Sequence, residues 1–376
     1  MTTARAVVLE KFGAMPVLRD FNLPAAGPGQ IVVSCEYGGI CGTDLHLNAG
    51  HLPVPIPIIL GHEGIGVIRE IGSTTAVDAL GQPLVAGDRI MWASSIACGS
   101  CQPCRQHREP TLCESRSTYG VNRTANFDAA PTGSWADSIC LEPGTTVVSV
   151  PPGIDSLTAM SLACAGPTLI HALYERRQVR LGERVIVQGS GPVGLAAAAL
   201  AQLAGAAQVI IVGGPEKRLA AAKAAGIGDH HLNIVDAADP EHVLADARKL
   251  AGGAGADLVI ECTGVPAAIA QGLTLARRGG AYLVVGQYTD AGDAAINPHQ
   301  IVLRQLDVIG SWAFSGAHLV EYVRLLPALS QRFDLAGLVS TFDLDDYPQA
   351  MAAVSAGSVM KAVLANNPGS EKRAHR

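Results

Sequence analysis

The sequence predicts an α/β protein in two parts: a mostly β domain bearing a cysteine-rich lobe, and a doubly wound parallel sheet. Two observations carry this reading. One is CGSCQPCRQHREPTLC, where Cys98, Cys101, Cys104 and Cys113 follow C-x2-C-x2-C-x8-C. The other is a series of short apolar runs alternating with helix-forming stretches, opened by the glycine-rich GSGPVG at 189–194.

The cysteine spacing lets one loop, turned by Gly99 and Pro103, wrap four thiolates around a single zinc ion. A segment this polar does not bury four thiols in an apolar core. The alternative, a disulfide pair, belongs to an oxidising compartment. A closed four-thiolate site has no position for substrate and is therefore structural.

A second metal candidate begins at Cys41-Gly42-Thr43-Asp44-Leu45-His46 and continues at Gly61-His62-Glu63-Gly64. Cysteine, histidine and carboxylate suit zinc, and a catalytic site uses three protein ligands with one place left open. Spacing alone leaves a core histidine and a small buried thiol as the alternatives for His62 and Cys41.

In the second part, Glu183 to Gln188 reads as a strand, the turn holds Gly189, Gly191, Pro192, Val193 and Gly194, and Leu195 to Leu200 favours helix. Gly189 permits the tight turn, Gly191 lets the backbone approach a pyrophosphate, and Gly194 allows close packing. The helix N-terminus attracts the phosphate charge. A further strand, Gln208 to Val212, follows at the distance one crossover helix needs. Ala256 to Glu261 reads as a strand, Pro266 to Arg278 as a helix and Ala281 to Gly286 as a strand. Their continuous apolar runs suit a parallel sheet covered on both faces.

Together, GGICGTDLH, GHEGIG, GDRI, the four-cysteine lobe, GSGPVG and the downstream VVG resemble the zinc-dependent medium-chain alcohol dehydrogenases, and most of all their bacterial branch of zinc-binding dehydrogenases. The resemblance covers nearly the whole chain. It implies a GroES-like catalytic domain and a Rossmann cofactor domain, two zinc ions, and reversible hydride transfer between an alcohol and NAD(P). It makes Cys41, His62 and Cys164 the catalytic zinc ligands, although nothing in local spacing selects Cys164. Glu63 then matches a carboxylate beside the metal, Asp44 the acceptor that orients His62, and Thr43 and His46 a proton relay. Thr168 matches a residue beside the nicotinamide. Gly213, Gly214, Arg218 and Val285 match cofactor-binding positions, and Lys361 a basic residue reaching the pyrophosphate. Leu52, Trp92, Ser94 and Trp135 match substrate-pocket positions, which implies an apolar substrate, bulky or cyclic.

Two departures from the family stand out. The loop between Cys104 and Cys113 is one residue longer than usual, which a loop absorbs at little cost. Where NAD users carry an acid at the end of the second cofactor strand, this chain has Gly213, followed by Gly214-Pro215-Glu216-Lys217-Arg218. Loss of the carboxylate removes repulsion against a 2′-phosphate, and Lys217 or Arg218 supplies a positive partner, a lean to NADP. Glu216 reaching the ribose would restore NAD use.

Composition agrees. The 376 residues suffice for two domains, and a net charge of −6 offers no basic patch for nucleic acid. The first residues lack a secretory apolar stretch, and nine cysteines mostly assigned to metal fit a reducing cytoplasm. The uncharged stretch from Val185 to Pro215 contains the glycine-rich turn and splits into strand, helix and strand, so no membrane span is expected. The tail from Asn366 reads as disordered. Residues 1–165 and 311–376 are expected to form the catalytic domain and 166–310 the cofactor domain, in a homodimer or homotetramer acting on a small alcohol, ketone or aldehyde. Two rival functions are a zinc-free quinone or enoyl reductase of the same superfamily, and a zinc- or NADP(H)-sensing homologue without catalysis. The first would lack Cys41, His62 and Cys164; the second tolerates loss of Thr43 and His46.

Overall fold

A computed structural model of the chain describes residues 2–72 and 76–366. These divide into two compact units, one of the described residues 2–72, 76–164, 315–326 and 339–366, the other of 165–314 and 327–338. The division falls inside the helix Gly316–Arg332, at Pro327.

The second unit is a six-stranded sheet in the order His230–Asn233, Gln208–Gly213, Arg184–Gln188, Ala256–Glu261, Ala276–Val284, Asp307–Gly310. Every neighbouring pair is parallel. The order reverses at Arg184–Gln188, the strand that leads into GSGPVG. In doubly wound sheets the ligand crevice opens at this switch, beyond the carboxyl ends of the strands. Val185, Ile186, Val187, Ile210, Ile211, Val259 and Ile260 are fully buried, as a sheet covered on both faces requires.

The helix after the glycine-rich turn runs Pro192–Leu203, with Pro192 near its start, where a missing N–H costs nothing. The helix expected from Pro266 to Arg278 ends at Leu275, and the following strand begins at once, at Ala276. Arg277 there bonds Asp257 of the adjacent strand, Nε to Oδ1 at 2.6 Å. That cross-strand pairing favours the extended form over another helical turn.

The first unit is mostly β. A seven-stranded sheet centres on Ile31–Ile40, which pairs antiparallel with Gly64–Ile71, with Ser138–Leu141 and with the returning strand Lys361–Ala365. A three-stranded sheet covers Thr2–Leu9, Val17–Leu23 and Ile58–Ile59. The long central strand carries Gly39 and Ile40 up to Cys41, so three chain segments distant in sequence meet at its end. Residues 367–376, most of the tail read as disordered, lie outside the described residues.

Candidate metal and catalytic centre

Cys41 closes the central strand and caps the short helix Gly42–Asn48. Its Sγ accepts from the Thr43 N–H at 3.4 Å, and its own N–H donates to Asp44 Oδ2 at 2.8 Å. The other oxygen of Asp44, which is fully buried, faces Nδ1 of His62 at 3.3 Å. One carboxylate thus closes the helix cap and orients the ring.

His62 and Glu63 lie between the strands Ile58–Ile59 and Gly64–Ile71. The turn into them needs Gly61, whose φ is +94° and whose missing Cβ would strike Trp135 and Ser134. Glu63 is fixed through its carbonyl, which accepts from the Gly39 N–H at 2.9 Å and the Ser134 hydroxyl at 2.6 Å. Cys164 reaches the same place just before the helix Ala165–Ile170.

One donor atom each from Cys41, His62, Glu63 and Cys164 lies within 4.8 Å of all the others. His62 Nε2 and Glu63 Oε1 are buried without a hydrogen-bond partner. Two thiols, an imidazole nitrogen turned inward and an orphaned carboxylate oxygen match the donor set zinc prefers, and orphaned buried polar atoms call for a ligand. The residues therefore fit the ion.

The electrostatics agree. Cys41 is held well below the ordinary thiol value, chiefly by a hydrogen bond from Cys164 and then by the charges of His62 and Lys361, against burial; Cys164 moves well above it in return. A metal ion binds thiolate sulfur and would displace the thiol proton. Burial favours neutral His62, but Asp44 and the Cys41 thiolate outweigh it and raise the imidazole.

Lys361 departs from the sequence expectation. It does not extend toward a pyrophosphate: it is 3% exposed, and its Nζ donates to Glu63 Oε2 and to the Ile40 carbonyl. Burial raises Glu63 and lowers Lys361; each charge opposes that effect on the other, leaving the carboxyl still raised and the amine above its ordinary value. The strand pairing of Ala362 with Ile40 aims the lysine inward.

The second cluster is Cys98, Cys101, Cys104 and Cys113, whose sulfurs also lie within 4.8 Å of one another. The segment turns through the π-helix Pro103–His107 and the short 3-10 helix Pro110–Leu112. Hydrogen bonds from the Ser100 hydroxyl and from the Ser100 and Cys101 amides bring Cys98 down to about 5, while burial and the neighbouring thiols push Cys104 up to about 12. Low-value thiols are ready ligands, and four with no carboxylate or imidazole among them fit a closed site.

Two pocket expectations are corrected. Trp135 is fully buried, packs with Val7, Ile40, Leu60 and Leu364, and donates its indole N–H to the Gly39 carbonyl at 2.9 Å. Trp92 is 3% exposed, in a cluster with Val33, Ile68 and Ile139. Both are core residues of the first unit, since large rings are most often spent there. Leu52 is half-buried against the cluster of Trp135. Ser94 is buried, and its carbonyl accepts from the Tyr119 N–H.

In the second unit Thr168 lies on the helix Ala165–Ile170, and Val285 donates its N–H to the Glu261 carbonyl at 3.0 Å. At the glycine-rich turn the structure shows a contact that motif spacing does not announce. The Ser190 hydroxyl donates to the Gly214 carbonyl at 2.9 Å and accepts from the Gly214 N–H at 3.0 Å. A Cβ on Gly213 would lie 2.7 Å from Ser190 N and 2.8 Å from its Cβ and Oγ, so no acid fits there unless the backbone of the glycine-rich turn shifts. Glu216 accepts from Asn233 Nδ2 at 3.3 Å. Arg218 lies beside Gly191, its Nε has no partner, and burial alone lowers it, with no carboxylate acting on it.

Sequence comparison places these features in a family. Residues 27–152 match the alcohol dehydrogenase GroES-like domain, and 192–329 the zinc-binding dehydrogenase domain. The chain belongs to the zinc-binding dehydrogenases. Curated relatives include 5-exo-hydroxycamphor dehydrogenase of Pseudomonas putida, 31% identical over 90% of this chain and 92% of that one. An L-threonine 3-dehydrogenase of Pseudoalteromonas atlantica is 28% identical over 92% and 95%. Among solved structures, an alcohol dehydrogenase from Thermotoga maritima superposes with a TM-score of 0.90 at 32% identity, covering 97% of this chain and 100% of that one. A zinc-binding dehydrogenase from Sinorhizobium meliloti, bound to NADP, gives 0.84 at 26%, covering 97% and 100%. This zinc-binding dehydrogenase is thus an oxidoreductase acting on CH–OH groups with zinc and NAD(P). Among its described residues no helix is long and apolar enough to cross a membrane.

The buried ion pair of this dehydrogenase generates a prediction. Lys361→Met leaves Glu63 buried without its cation and is expected to cost about 3–5 kcal/mol, whereas Lys361→Met with Glu63→Leu recovers most of that loss. Urea unfolding of both variants and the wild type measures it; equal losses in the two variants would show that the ion pair is not the source.

Proposed function

We propose that the Cys41, His62 and Cys164 set holds the catalytic zinc of an alcohol dehydrogenase whose substrates are apolar and cyclic, and that the four-cysteine lobe holds a structural zinc. The observation that carries the first part is the inward-facing, partnerless His62 Nε2 between two thiols. The contrast between three ligands plus a carboxylate and four thiolates supports the division of roles.

When bound, zinc supplies Lewis-acid polarisation of the substrate oxygen, and the nicotinamide supplies hydride chemistry. The chain does the rest. Asp44 fixes His62 with Nε2 inward, Cys41 and Cys164 supply thiolates, and Lys361 holds Glu63 so that one oxygen remains free beside them. Thr43, on the helix that Cys41 caps, would pass the alcohol proton on through its hydroxyl, and His46, one turn on, would accept it as the general base.

Substrate class rests on composition and on kinship. Half-buried Leu52 and its neighbours Val54 and Ile56 offer apolar surface, and one relative is named for a hydroxycamphor, a ring alcohol. For the cofactor, Arg218 without a carboxylate partner, together with Ser190 filling the place of the ribose-binding acid, favours the 2′-phosphate of NADP. The reading includes a homodimer or homotetramer in the cytoplasm; nine cysteines without a disulfide among the described residues fit a reducing compartment, and sedimentation velocity measures the assembly.

Three predictions follow from these assignments. Wild type is expected to hold two zinc ions. Cys41→Ser should lose turnover and one zinc while remaining folded, and Cys101→Ser should chiefly lower thermal stability, because a structural ion contributes its binding energy to folding. Metal analysis and calorimetry decide, and equal loss of folding in both variants overturns the assignment. On a panel of cyclohexanol, benzyl alcohol, L-threonine and sorbitol, kcat/KM should favour the ring alcohols by roughly tenfold or more; a preference for threonine or sorbitol refutes the substrate class. Arg218→Ala should weaken 2′,5′-ADP binding about 10- to 100-fold, the range of a charged hydrogen bond of about 1.5–3 kcal/mol, and leave 5′-ADP unaffected. Isothermal titration reads both, and equal losses place Arg218 elsewhere than at the 2′-phosphate.

A further inference from the structure

We propose that His51 extends the proton path of this site, taking the proton from His46 through a direct contact between the two rings and releasing it to solvent. The proposal rests on the dehydrogenase reading above and adds a residue that neither motif nor resemblance selects.

The Nδ1 atoms of His46 and His51 lie 3.1 Å apart, with ring centroids 5.4 Å apart. The His51 N–H donates to the His46 carbonyl at 2.9 Å, so the chain folds back over the end of the helix and fixes the spacing. His46 is half-buried and His51 exposed, which gives the pair an inner and an outer member. Two Nδ1 atoms at this distance repel unless one proton lies between them. With Nδ1 of His46 engaged by His51, Nε2 is its only nitrogen free to receive a proton from within.

The proton balance closes. Alcohol oxidation sends one hydride, with both electrons, to the nicotinamide and leaves one proton. That proton enters His46 at Nε2, the Nδ1 proton of His46 crosses to Nδ1 of His51, and the Nε2 proton of His51 leaves to water. The pair then holds the reversed tautomers, and each ring resets by exchanging its own proton with water, half-buried His46 losing its Nε2 proton and regaining one at Nδ1, exposed His51 the reverse. Carbonyl reduction runs the path backward. Burial, and then His51, hold His46 below the ordinary imidazole value against the pull of Cys41, so it stands neutral and able to accept. Beside the helix Gly42–Asn48 the turn at 61–63 carries His62 and Glu63, with His62 on Asp44. The turn whose Gly13 N–H donates to the Asn48 carbonyl carries Lys11, and the helix Tyr347–Ser355 carries no charged side chain.

The test follows proton release with a pH-indicator dye in stopped flow, in weak buffer, using the panel alcohol with the highest kcat/KM. His51→Gln should slow release and kcat by roughly tenfold below neutral pH, with KM, zinc content and Tm unchanged. Rising concentrations of MES, a bulky base and a poor zinc ligand, should restore the rate. Wild-type rates in His51→Gln at every buffer concentration, with His46→Gln impaired, overturn the role of His51 and leave the shorter relay standing. Slowing that MES does not relieve, or that comes with lost zinc or lowered Tm, also overturns it, because the histidine then acts by position. Wild-type rates in both variants, or no panel alcohol oxidised, remove the relay or the dehydrogenase reading itself and this proposal with it.

Discussion

The burial of charge at the end of the central strand constrains everything around the site. Asp44, His62, Glu63 and Lys361 are each at most 6% exposed, and isolated ions there would be costly to desolvate. They persist because every one has a charged neighbour: Asp44 for His62, Lys361 for Glu63, and the Cys41 thiolate for His62 and Lys361 alike. No member can be removed alone without stranding another.

This constraint explains why the first unit is assembled from the chain's two ends. The central strand delivers Cys41, the turn at Gly61 delivers His62 and Glu63, and the strand Lys361–Ala365 returns from near the C-terminus to seat the lysine. Backbone pairing does the positioning, since ladder register is enforced along the whole strand whereas a loop would leave the cation free to move. The helix cap adds a second lock. Asp44 serves the Cys41 amide and the His62 ring together, so the conformation that starts the helix is the one that orients the imidazole.

The second unit uses different physics for a related purpose. Its sheet is held by apolar burial and its ligand crevice is left to backbone amides at the switch point. There Ser190 ties the glycine-rich turn to Gly214 and closes position 213 to side chains, while Arg218 stands nearby without a carboxylate.

Much of this was legible in the order of residues. Ligand chemistry depends on residue type and short spacing, so Cys98 to Cys113 and the turn at Gly189 to Gly194 were readable directly, as were the parallel strands, whose unbroken apolar runs reflect burial on both faces, while Cys41 and His62 became ligands only with the family resemblance. Cys164 was readable only through resemblance, because its partners lie more than a hundred residues away. Lys361, Ser190, Trp135, Trp92 and His51 were decided by tertiary structure alone. A lysine at a strand end looks the same whether it meets phosphate or a buried carboxylate, and a tryptophan the same whether it lines a pocket or fills a core. Which it does is set by strand register and by what packs opposite, and those are properties of the folded chain.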